Sequence, residues 1–252
     1  MEIPTNFVLV EGGTFKMGSS NRDTEEKPVH EVTVSSFYMG IYEVTQKEWV
    51  EVMGANPSDW KDDSFPVGRV SWQDALEYCN KRSQKEGLTP AYKNVSGQLV
   101  CDFKANGYRL PTEAEWEFAA KGGIKGNASD GLFPEEFTYS GSSDANAVAW
   151  CTANSQIDKG KSQTHAVGTK AANSLGIYDM SGNVSEWCWD WFGAYTSEAQ
   201  TNPEGPATGR DRVARGGNCG SDSNSLRPAC RYKTSPTNRY PVIGLRLVIG
   251  IA

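Results

Sequence analysis

The chain has 252 residues, of which 38% are hydrophobic and 22% are charged, and its formal net charge at neutral pH is −6. A chain of this length buries about 70–75% of its unfolded surface, so its core needs neither disulfides nor a metal. The negative charge argues against a general nucleic-acid or anionic-membrane surface. No apolar run approaches the ~20 residues of a transmembrane helix. Nucleic acid is therefore not an expected partner, and no transmembrane segment is expected.

The cysteine and histidine contents disfavour most metal and nucleophile chemistry. The chain has six cysteines and two histidines, and no two cysteines have the Cys-x-x-Cys spacing of a structural zinc site. The zinc-protease, phosphate-loop and dinucleotide-binding motifs are missing from the sequence. With His30 and His165 as the only histidines, a Ser-His-Asp arrangement is hard to assemble. The sequence thus disfavours most enzyme classes.

The first forty residues are predicted to form strands joined by turns. Residues 7–10 are apolar, and residues 14–17 alternate between apolar and polar side chains after a Gly12-Gly13 turn. The same alternation returns in residues 30–34, after a polar loop.

Three helices are predicted from their N-terminal capping residues. Thr45 and Thr112 each begin a Thr-x-x-Glu capping box, and Ser71 is a third N-cap. Apolar side chains follow each cap at helical spacing. Cys79 lies on the apolar face of the second helix, where we expect it to act as a small hydrophobic residue.

Helical periodicity disappears after Gly123, and residues 123–210 are rich in Gly, Ser, Asn and aromatic side chains. We expect loops and short strands there, held by buried tryptophans, and strands again at residues 212–215 and 245–249. The predicted fold class is α+β, with few short helices, short strands and much irregular structure. The tryptophans expected in the core are Trp150, Trp187, Trp189 and Trp191.

An ordered series of motifs runs along nearly the whole chain. The longest are Gly-Tyr-Arg-Leu-Pro-Thr-Glu-Ala-Glu-Trp-Glu at residues 107–117 and Gly-Ile-Tyr-Asp-Met-Ser-Gly-Asn-Val-Ser-Glu-Trp at residues 176–187. Shorter ones lie at residues 15–18, 43–45, 66–72, 215–217 and 244–246. The series resembles the formylglycine-generating-enzyme, or sulfatase-modifying-factor, family. This resemblance implies a C-type-lectin-like fold, formed by residues 1–252 as one domain.

The resemblance does not extend to the catalytic residues of that family. Its catalytic members bind copper(I) through two cysteines a few residues apart, where this chain has neutral residues such as Ser221 and Ser223. Cys219 and Cys230 are eleven positions apart, a spacing that on one continuous strand points them to opposite faces. We therefore expect no copper and no catalysis. Two alternatives stay open, namely a copper-dependent formylglycine-generating oxidase acting on sulfatases and a non-variable structural or assembly factor.

The C-terminal segment, residues 212–250, keeps the family pattern at some positions and departs from it at others. From residue 222 to 232 the departures fall at every second position, which on a strand is one face. This pattern resembles the variable proteins of diversity-generating retroelements, in which adenine-directed mutagenesis changes chosen codons of a lectin-fold binding surface. The resemblance implies ligand binding by the departing residues, which are Cys219, Gly220, Asp222, Asn224, Pro228, Cys230, Tyr232, Thr234, Asn238, Tyr240, Val242 and Leu245.

The resulting hypothesis is a non-catalytic ligand-binding protein with a diversified C-terminal surface. Gly216, Gly217 and Pro236 would hold the backbone, while Tyr232 and Tyr240 would supply amphipathic contact area. The expected ligand is an extracellular protein or a glycan. The expected location is the cell surface or the exterior, with a lipid anchor supplied by a leader outside this sequence. Unselected change in exposed loop residues is the alternative explanation of the same departures.

A structural calcium site is also implied by the resemblance. Asp179, Gly182, Val184 and Glu186 match positions that bind calcium in catalytic relatives, with carboxylates at the ends and backbone carbonyls between them. Hard oxygen ligands of this kind suit calcium. Ser185 replaces a frequent Trp without removing a ligand. The alternative is that the two carboxylates merely cap a turn.

Overall fold

A computed structural model describes residues 3–126, 137–158 and 160–251. The described helices are α1 (Gln46–Met53), α2 (Trp72–Lys85), α3 (Glu113–Ala120), α4 (Gly123–Gly126) and α5 (Ala145–Val148). The described strands are β1 (Phe7–Val10), β2 (Gly13–Met17), β3 (His30–Val34), β4 (Phe37–Gly40), β5 (Tyr92–Val95), β6 (Gln98–Cys101), β7 (Tyr108–Arg109), β8 (Gln156–Asp158), β9 (Lys161–Ser162), β10 (Ser185–Trp191), β11 (Gln200–Thr201), β12 (Arg212–Arg215), β13 (Arg231–Thr234), β14 (Ile243–Gly244) and β15 (Val248–Gly250). Short 3-10 helices occupy Thr24–Glu26 and Ser223–Leu226.

All three predicted N-caps are present. The Thr45 hydroxyl accepts the backbone N–H of Glu48 at 3.2 Å, and the Thr112 hydroxyl accepts that of Glu115 at 3.2 Å. Each glutamate in turn accepts the backbone N–H of its threonine, which completes a capping box. Ser71 forms the same arrangement at the start of α2. Local sequence therefore determines where these helices begin.

The strands form two four-stranded sheets, with orders β1-β4-β15-β7 and β13-β12-β10-β14. A three-stranded sheet has the order β11-β3-β2, and β5-β6 and β8-β9 are hairpins. In the second four-stranded sheet, β12 runs antiparallel to β10, with Arg215 opposite Glu186, and β14 runs parallel to β10. This mixture of short helices and strands confirms the predicted α+β class.

Two strands differ from the sequence prediction. β10 is seven residues long and lies in a region predicted to contain loops and short strands. Its length was not predicted because it is buried on both faces and so lacks the alternation of a half-exposed strand. The strand predicted at residues 245–249 begins only at Val248. The backbone carbonyls of Leu245 and Leu247 instead accept hydrogen bonds from Val44 and Gly40, at 2.9 Å each.

The core has two main parts. In the first, Trp72 and Trp187 pack with α1, α2, β7 and β10, and Cys79 is fully buried among them, as predicted. In the second, Trp116 and Phe118 of α3 pack against the N-terminal strands. The helices therefore cover both sides of the sheets that hold the C-terminal segment.

A buried ion pair joins three parts of the chain at the centre of the fold. Arg246 donates to the Glu186 carboxylate from Nε at 3.0 and 3.1 Å and from a terminal nitrogen at 2.6 Å. It also donates to the backbone carbonyls of Gly40 at 3.0 Å and Tyr178 at 2.8 Å. Trp116 Nε1 donates to the same carboxylate at 2.7 Å. Arg246 thus satisfies groups on β4, β10 and the segment before β10.

Two further buried arginines attach the C-terminal strands to α3. Arg215 of β12 pairs with Glu117, which Lys121 also neutralises at 2.8 Å. Arg231 of β13 donates to both carboxylate oxygens of Glu113, at 2.6 and 2.7 Å. Both arginines are almost fully buried, so these pairs determine how β12 and β13 lie on the helix.

Replacing Arg246 by Met is expected to lower the free energy of unfolding by about 3–5 kcal/mol, because it leaves the Glu186 carboxylate buried without its counter-charge. The measurement is equilibrium urea unfolding. Lys81→Met is the matched control, since Lys81 pairs with Glu77 on the exposed face of α2 and surface pairs contribute little. Equal losses in both variants would contradict the role given to Arg246.

Candidate functional site

The twelve predicted ligand-binding residues do not lie along one strand. Ser223–Leu226 is a 3-10 helix, and β13 begins only at Arg231. Asp222 caps that helix, with Oδ1 accepting the backbone N–H of Ser225 at 3.1 Å. The prediction that every second residue from 222 to 232 lies on one strand face is therefore wrong.

Four of the twelve residues are buried. Cys219 and Leu245 are 0% exposed and Thr234 is 6% exposed, and Pro228 is also buried. Leu245 packs in the core beside Trp187, so its departure from the family pattern concerns packing. The prediction of direct contact is corrected for Cys219 and Leu245, because a ligand at the outer surface does not reach a fully buried side chain. Pro228 lines a cavity beside Arg227 and Ala229, and Thr234 keeps a small exposed fraction.

The other eight residues reach the surface. Gly220, Asp222, Asn224, Tyr232 and Tyr240 are exposed, and Cys230, Asn238 and Val242 are half-buried. They fall into three groups, at the tyrosines, around the loop after β12, and beside the N-terminal 3-10 helix.

The first group, which we call the tyrosine patch, consists of Tyr232, Asn238 and Tyr240, together with the nearly buried Thr234 that Asn238 contacts. Tyr232 lies on the edge strand β13 and is 47% exposed, and Tyr240 is 43% exposed. Asn238 Nδ2 donates to the Thr234 hydroxyl at 2.7 Å and to the Tyr240 hydroxyl at 3.2 Å. Burial and the neighbouring Tyr240 raise the pKa of Tyr232. The patch thus offers two aromatic faces and adaptable hydrogen-bonding groups.

The second group is the loop of residues 218–222. The Asn218 side chain accepts the backbone N–H of Gly220 at 3.0 Å, and the Ser221 hydroxyl accepts that of Asn218 at 3.0 Å. These local bonds hold the loop in one shape, while Gly220 and Asp222 at its end are exposed.

Ser185, the first residue of β10, connects this loop to Val242. Asn218 Nδ2 donates to the Ser185 hydroxyl at 3.1 Å, and that hydroxyl donates to the Gly217 carbonyl at 3.0 Å. The Ser185 backbone N–H donates to the Val242 carbonyl at 2.8 Å. Sequence reasoning noted this serine only as a replaced tryptophan and missed its bridging role, which depends on contacts more than 30 residues away.

The third group surrounds Cys230, beside the N-terminal 3-10 helix. Cys230, Asp23 and Glu26 bring potential metal-ligating atoms within 4.8 Å of one another, the sole such trio found in the described ranges. Both oxygens of Glu26 accept hydrogen bonds from Arg227, at 2.9 and 2.6 Å. The Glu26 carboxylate is therefore already neutralised.

All six cysteines are free thiols. Cys219 is fully buried, and its backbone N–H donates to the Asn183 carbonyl at 2.9 Å. Burial raises the pKa of Cys219 to about 12 and also raises the pKa of Cys230. Raised pKa values disfavour the thiolate form that binds soft metals.

The predicted calcium residues are buried, but their carboxylates differ in availability. Asp179 Oδ2 accepts the backbone N–H of Gly168 at 2.7 Å, while Oδ1 is buried and has no hydrogen-bond partner among the described residues. Both oxygens of Glu186 are held by Arg246 and Trp116. As arranged, these side chains do not form a complete calcium ligand set, and calcium binding stays a prediction.

Glu43 adds a third carboxylate that the calcium prediction missed. It is fully buried and accepts hydrogen bonds from Asn183 Nδ2 at 2.7 Å and from the Val184 backbone N–H at 3.0 Å. Burial, followed by the nearby Asp179 and Glu186, raises the pKa of Glu43 well above its ordinary value. No local pattern reveals this neighbourhood, because Glu43 and Asn183 are 140 positions apart.

Of the four tryptophans expected in the core, only Trp187 is fully buried. Trp150 is half-buried and stacks on His165, with ring centroids 3.8 Å apart. Trp189 and Trp191 are also half-buried and contact the guanidinium of Arg212. The core prediction is thus confirmed for Trp187, and the half-buried Trp189 packs against the first part of the core. It is corrected for Trp150 and Trp191, which lie in partly exposed aromatic clusters.

Three comparisons with known proteins agree with this fold. Chaperone protein LppX of Paenibacillus barcinonensis is 41% identical, over 98% of this chain and 90% of its own length. Serine/threonine-protein kinase pkn1 of Chlamydia caviae is 34% identical over 98% of this chain, which spans only 38% of the kinase. The solved structure of Treponema denticola variable protein 1 matches with a TM-score of 0.85 and 31% identity, covering 97% of this chain and 95% of that one.

These similarities extend over nearly the whole sequence and confirm the predicted family and its C-type-lectin-like fold. Residues 2–251 match the family model described as the sulfatase-modifying factor enzyme 1-like domain. The chain belongs to the sulfatase-modifying factor enzyme 1-like family.

Proposed function

We propose that this protein is a non-catalytic ligand-binding protein, with a diversified binding surface on its C-terminal segment, residues 212–250. The observation that carries the proposal is the tyrosine patch, whose exposed side chains lie directly beside buried framework residues. Similarity to Treponema denticola variable protein 1 supports it. The surface includes the tyrosine patch and the exposed residues Gly220, Asp222 and Asn224.

The framework beneath this surface has little freedom to change. Every residue of β12 is buried, and the following Gly216 has φ +90°, a left-handed conformation that glycine adopts without strain. A Cβ atom at Gly216 would lie 3.1 Å from the Trp116 ring. Exchange of side chains is therefore compatible with the fold at the exposed positions and costly immediately below them.

One ion pair adjoins the tyrosine patch in the sequence and supplies polar groups beside it, since Arg239, between Asn238 and Tyr240, pairs with Asp74 at 2.7 Å. Lys233 pairs with Glu25 on the opposite face of β13, because it alternates with Tyr232 along the strand. An aromatic centre with a polar rim is the usual composition of a surface that binds another macromolecule. The ligand class we propose is an extracellular protein or a glycan.

The proposed location is the cell surface or the exterior, where a varied surface meets partners on other cells, with a lipid anchor supplied outside this sequence. In the described part of the chain, no helix has both the length and the apolar character needed to cross a membrane. Copper-dependent oxidation of sulfatases is the alternative function, and its signature would be tight copper(I) binding to Cys219 and Cys230 with aldehyde formation in a sulfatase-motif peptide.

Sequencing the gene from many cells of one population tests diversification directly. Amino-acid changes are expected to concentrate at the five exposed positions Gly220, Asp222, Asn224, Tyr232 and Tyr240, where a new side chain reaches solvent. The matched control is an equally exposed set on α2 and the β5-β6 hairpin. Changes spread evenly over both sets would overturn the proposal.

Replacing Tyr232 or Tyr240 by Ser is expected to change the free energy of unfolding by less than about 1 kcal/mol, because both rings are largely exposed. Leu245→Ser is the control, and we expect it to cost at least about 2–5 kcal/mol because it removes a fully buried side chain. Urea unfolding measures both. Large losses at the tyrosines would show that they are structural.

Calcium binding can be tested at Asp179. About 1 mM calcium is expected to raise the Tm of the wild type but not of Asp179→Asn, because Asp179 has the free carboxylate oxygen. Asn tolerates the left-handed φ of +59° and keeps an acceptor for the Gly168 N–H. Asp222→Asn, at an exposed carboxylate, is the control. Equal shifts in wild type and Asp179→Asn would count against the site.

A further inference from the structure

A cavity of about 510 Å³ lies at the C-terminal end of β10, away from Ser185 and the loop of residues 218–222. The end of β10, the start of α3, the start of β3 and residues 193–206 line it. The side chains that matter for its chemistry are those of His30, Glu113, Asp190, Trp191, Tyr195 and Glu204. None of them belongs to the surface proposed above.

Asp190 is a buried carboxylate that interacts electrostatically with the Arg212 guanidinium without forming an ion pair with it. It is 3% exposed, and its Oδ2 accepts the Glu113 backbone N–H at 2.7 Å. None of the ion pairs found among the described residues includes it. Burial, and then the nearby Glu113, raises the pKa of Asp190 well above its ordinary value. A cation placed beside this carboxylate would lower its pKa, because the cation would offset both the burial of the charge and its repulsion from Glu113.

The one cationic side chain that lines the cavity wall beside Glu113 is already engaged. Arg231 donates to both oxygens of the Glu113 carboxylate, at 2.6 and 2.7 Å, and to the carbonyls of Glu25 and Gly193, at 2.9 Å each. Glu204, at the exposed rim, takes part in none of the ion pairs of the described ranges, and burial raises its pKa as well. The lining therefore has an excess of acidic groups over available cations.

Aromatic rings form the other walls. The Tyr195 ring lies 4.7 Å from the His30 ring, centroid to centroid, and Trp191 lines the cavity beside Asp190. The Tyr195 hydroxyl is buried and has no hydrogen-bond partner in the described part of the chain. The Arg231 guanidinium lies 3.9 Å from the centroid of the Tyr195 ring, and the Arg212 guanidinium lies 3.6 Å from that of Trp191, so each ring already holds one cation. The unpaired Tyr195 hydroxyl favours a ligand that brings its own donor.

We propose that this cavity binds a small organic molecule through a primary ammonium group. The ammonium group donates to the Asp190 carboxylate and the Tyr195 hydroxyl, while the carbon chain packs on Trp191. The volume lies within the range of about 300–1,000 Å³ that is typical of small-molecule sites. This site is independent of the C-terminal binding surface.

The test is an NMR titration of the full chain with n-butylamine hydrochloride as the probe. Backbone amide shifts are expected at Gly193, Tyr195 and Gly205, which line the cavity. For so small a probe, a Kd of about 1 mM is expected. Shifts absent from the cavity, or centred elsewhere, would overturn the proposal.

Protein variants and analogues of the probe distinguish specific binding of an ammonium group from nonspecific binding. Asp190→Asn is expected to raise the Kd at least about tenfold, because the paired charge is lost. Glu77→Gln removes one negative charge on the exposed face of α2 and is expected to leave the Kd unchanged. n-Butanol, butyrate or tetramethylammonium binding as tightly as butylamine would contradict the need for a donating cation.

Tyr195→Phe provides a second test of the proposal in case Asp190→Asn does not fold. It removes a hydroxyl that has no partner among the described residues, so Tm is expected to stay constant or rise. The Kd for butylamine is expected to rise several-fold, while any weak binding of tetramethylammonium is unchanged. An unchanged Kd for butylamine would exclude the hydroxyl from the site.

Discussion

Arg246 and Arg215 are buried cations at the centre of this protein, and each pairs with a glutamate of another element. Arg246 holds Glu186 of β10, and Arg215 holds Glu117 of α3. Such pairs are costly to break, because removing one partner leaves an uncompensated charge on a fully buried side chain. They therefore hold β10, β12 and the segment after β14 in one arrangement, although β12 has only four residues.

Because of this arrangement, buried framework residues and exposed residues lie next to one another in the C-terminal segment. Arg231 of β13 is buried against Glu113, whereas the next residue, Tyr232, is half in solvent. A side chain such as Tyr232 contributes contact area without contributing much to the core, so its replacement leaves the framework intact. The same framework places Asp190 and Tyr195 in the cavity at the C-terminal end of β10, where, among the described residues, Asp190 forms no ion pair and the Tyr195 hydroxyl has no hydrogen-bond partner.

Much of the fold could be predicted because its signals are local. Thr45 and Thr112 cap their helices through residues three positions away, and the β2 and β3 strands show the expected alternation. β10 could not be predicted from alternation, because both of its faces are buried. The site was predicted less well, since Cys219 and Leu245 look variable in sequence but are fully buried.

The sequence alone determined the family, the fold class and the starts of the main helices, because long motifs and capping residues act over short stretches of chain. Only the tertiary structure decided which C-terminal residues face solvent, that Ser185 joins two parts of the surface, and that Glu43 lies beside Asn183. Those facts depend on contacts between residues as many as 140 positions apart, and burial and charge balance arise only when the chain brings such residues together.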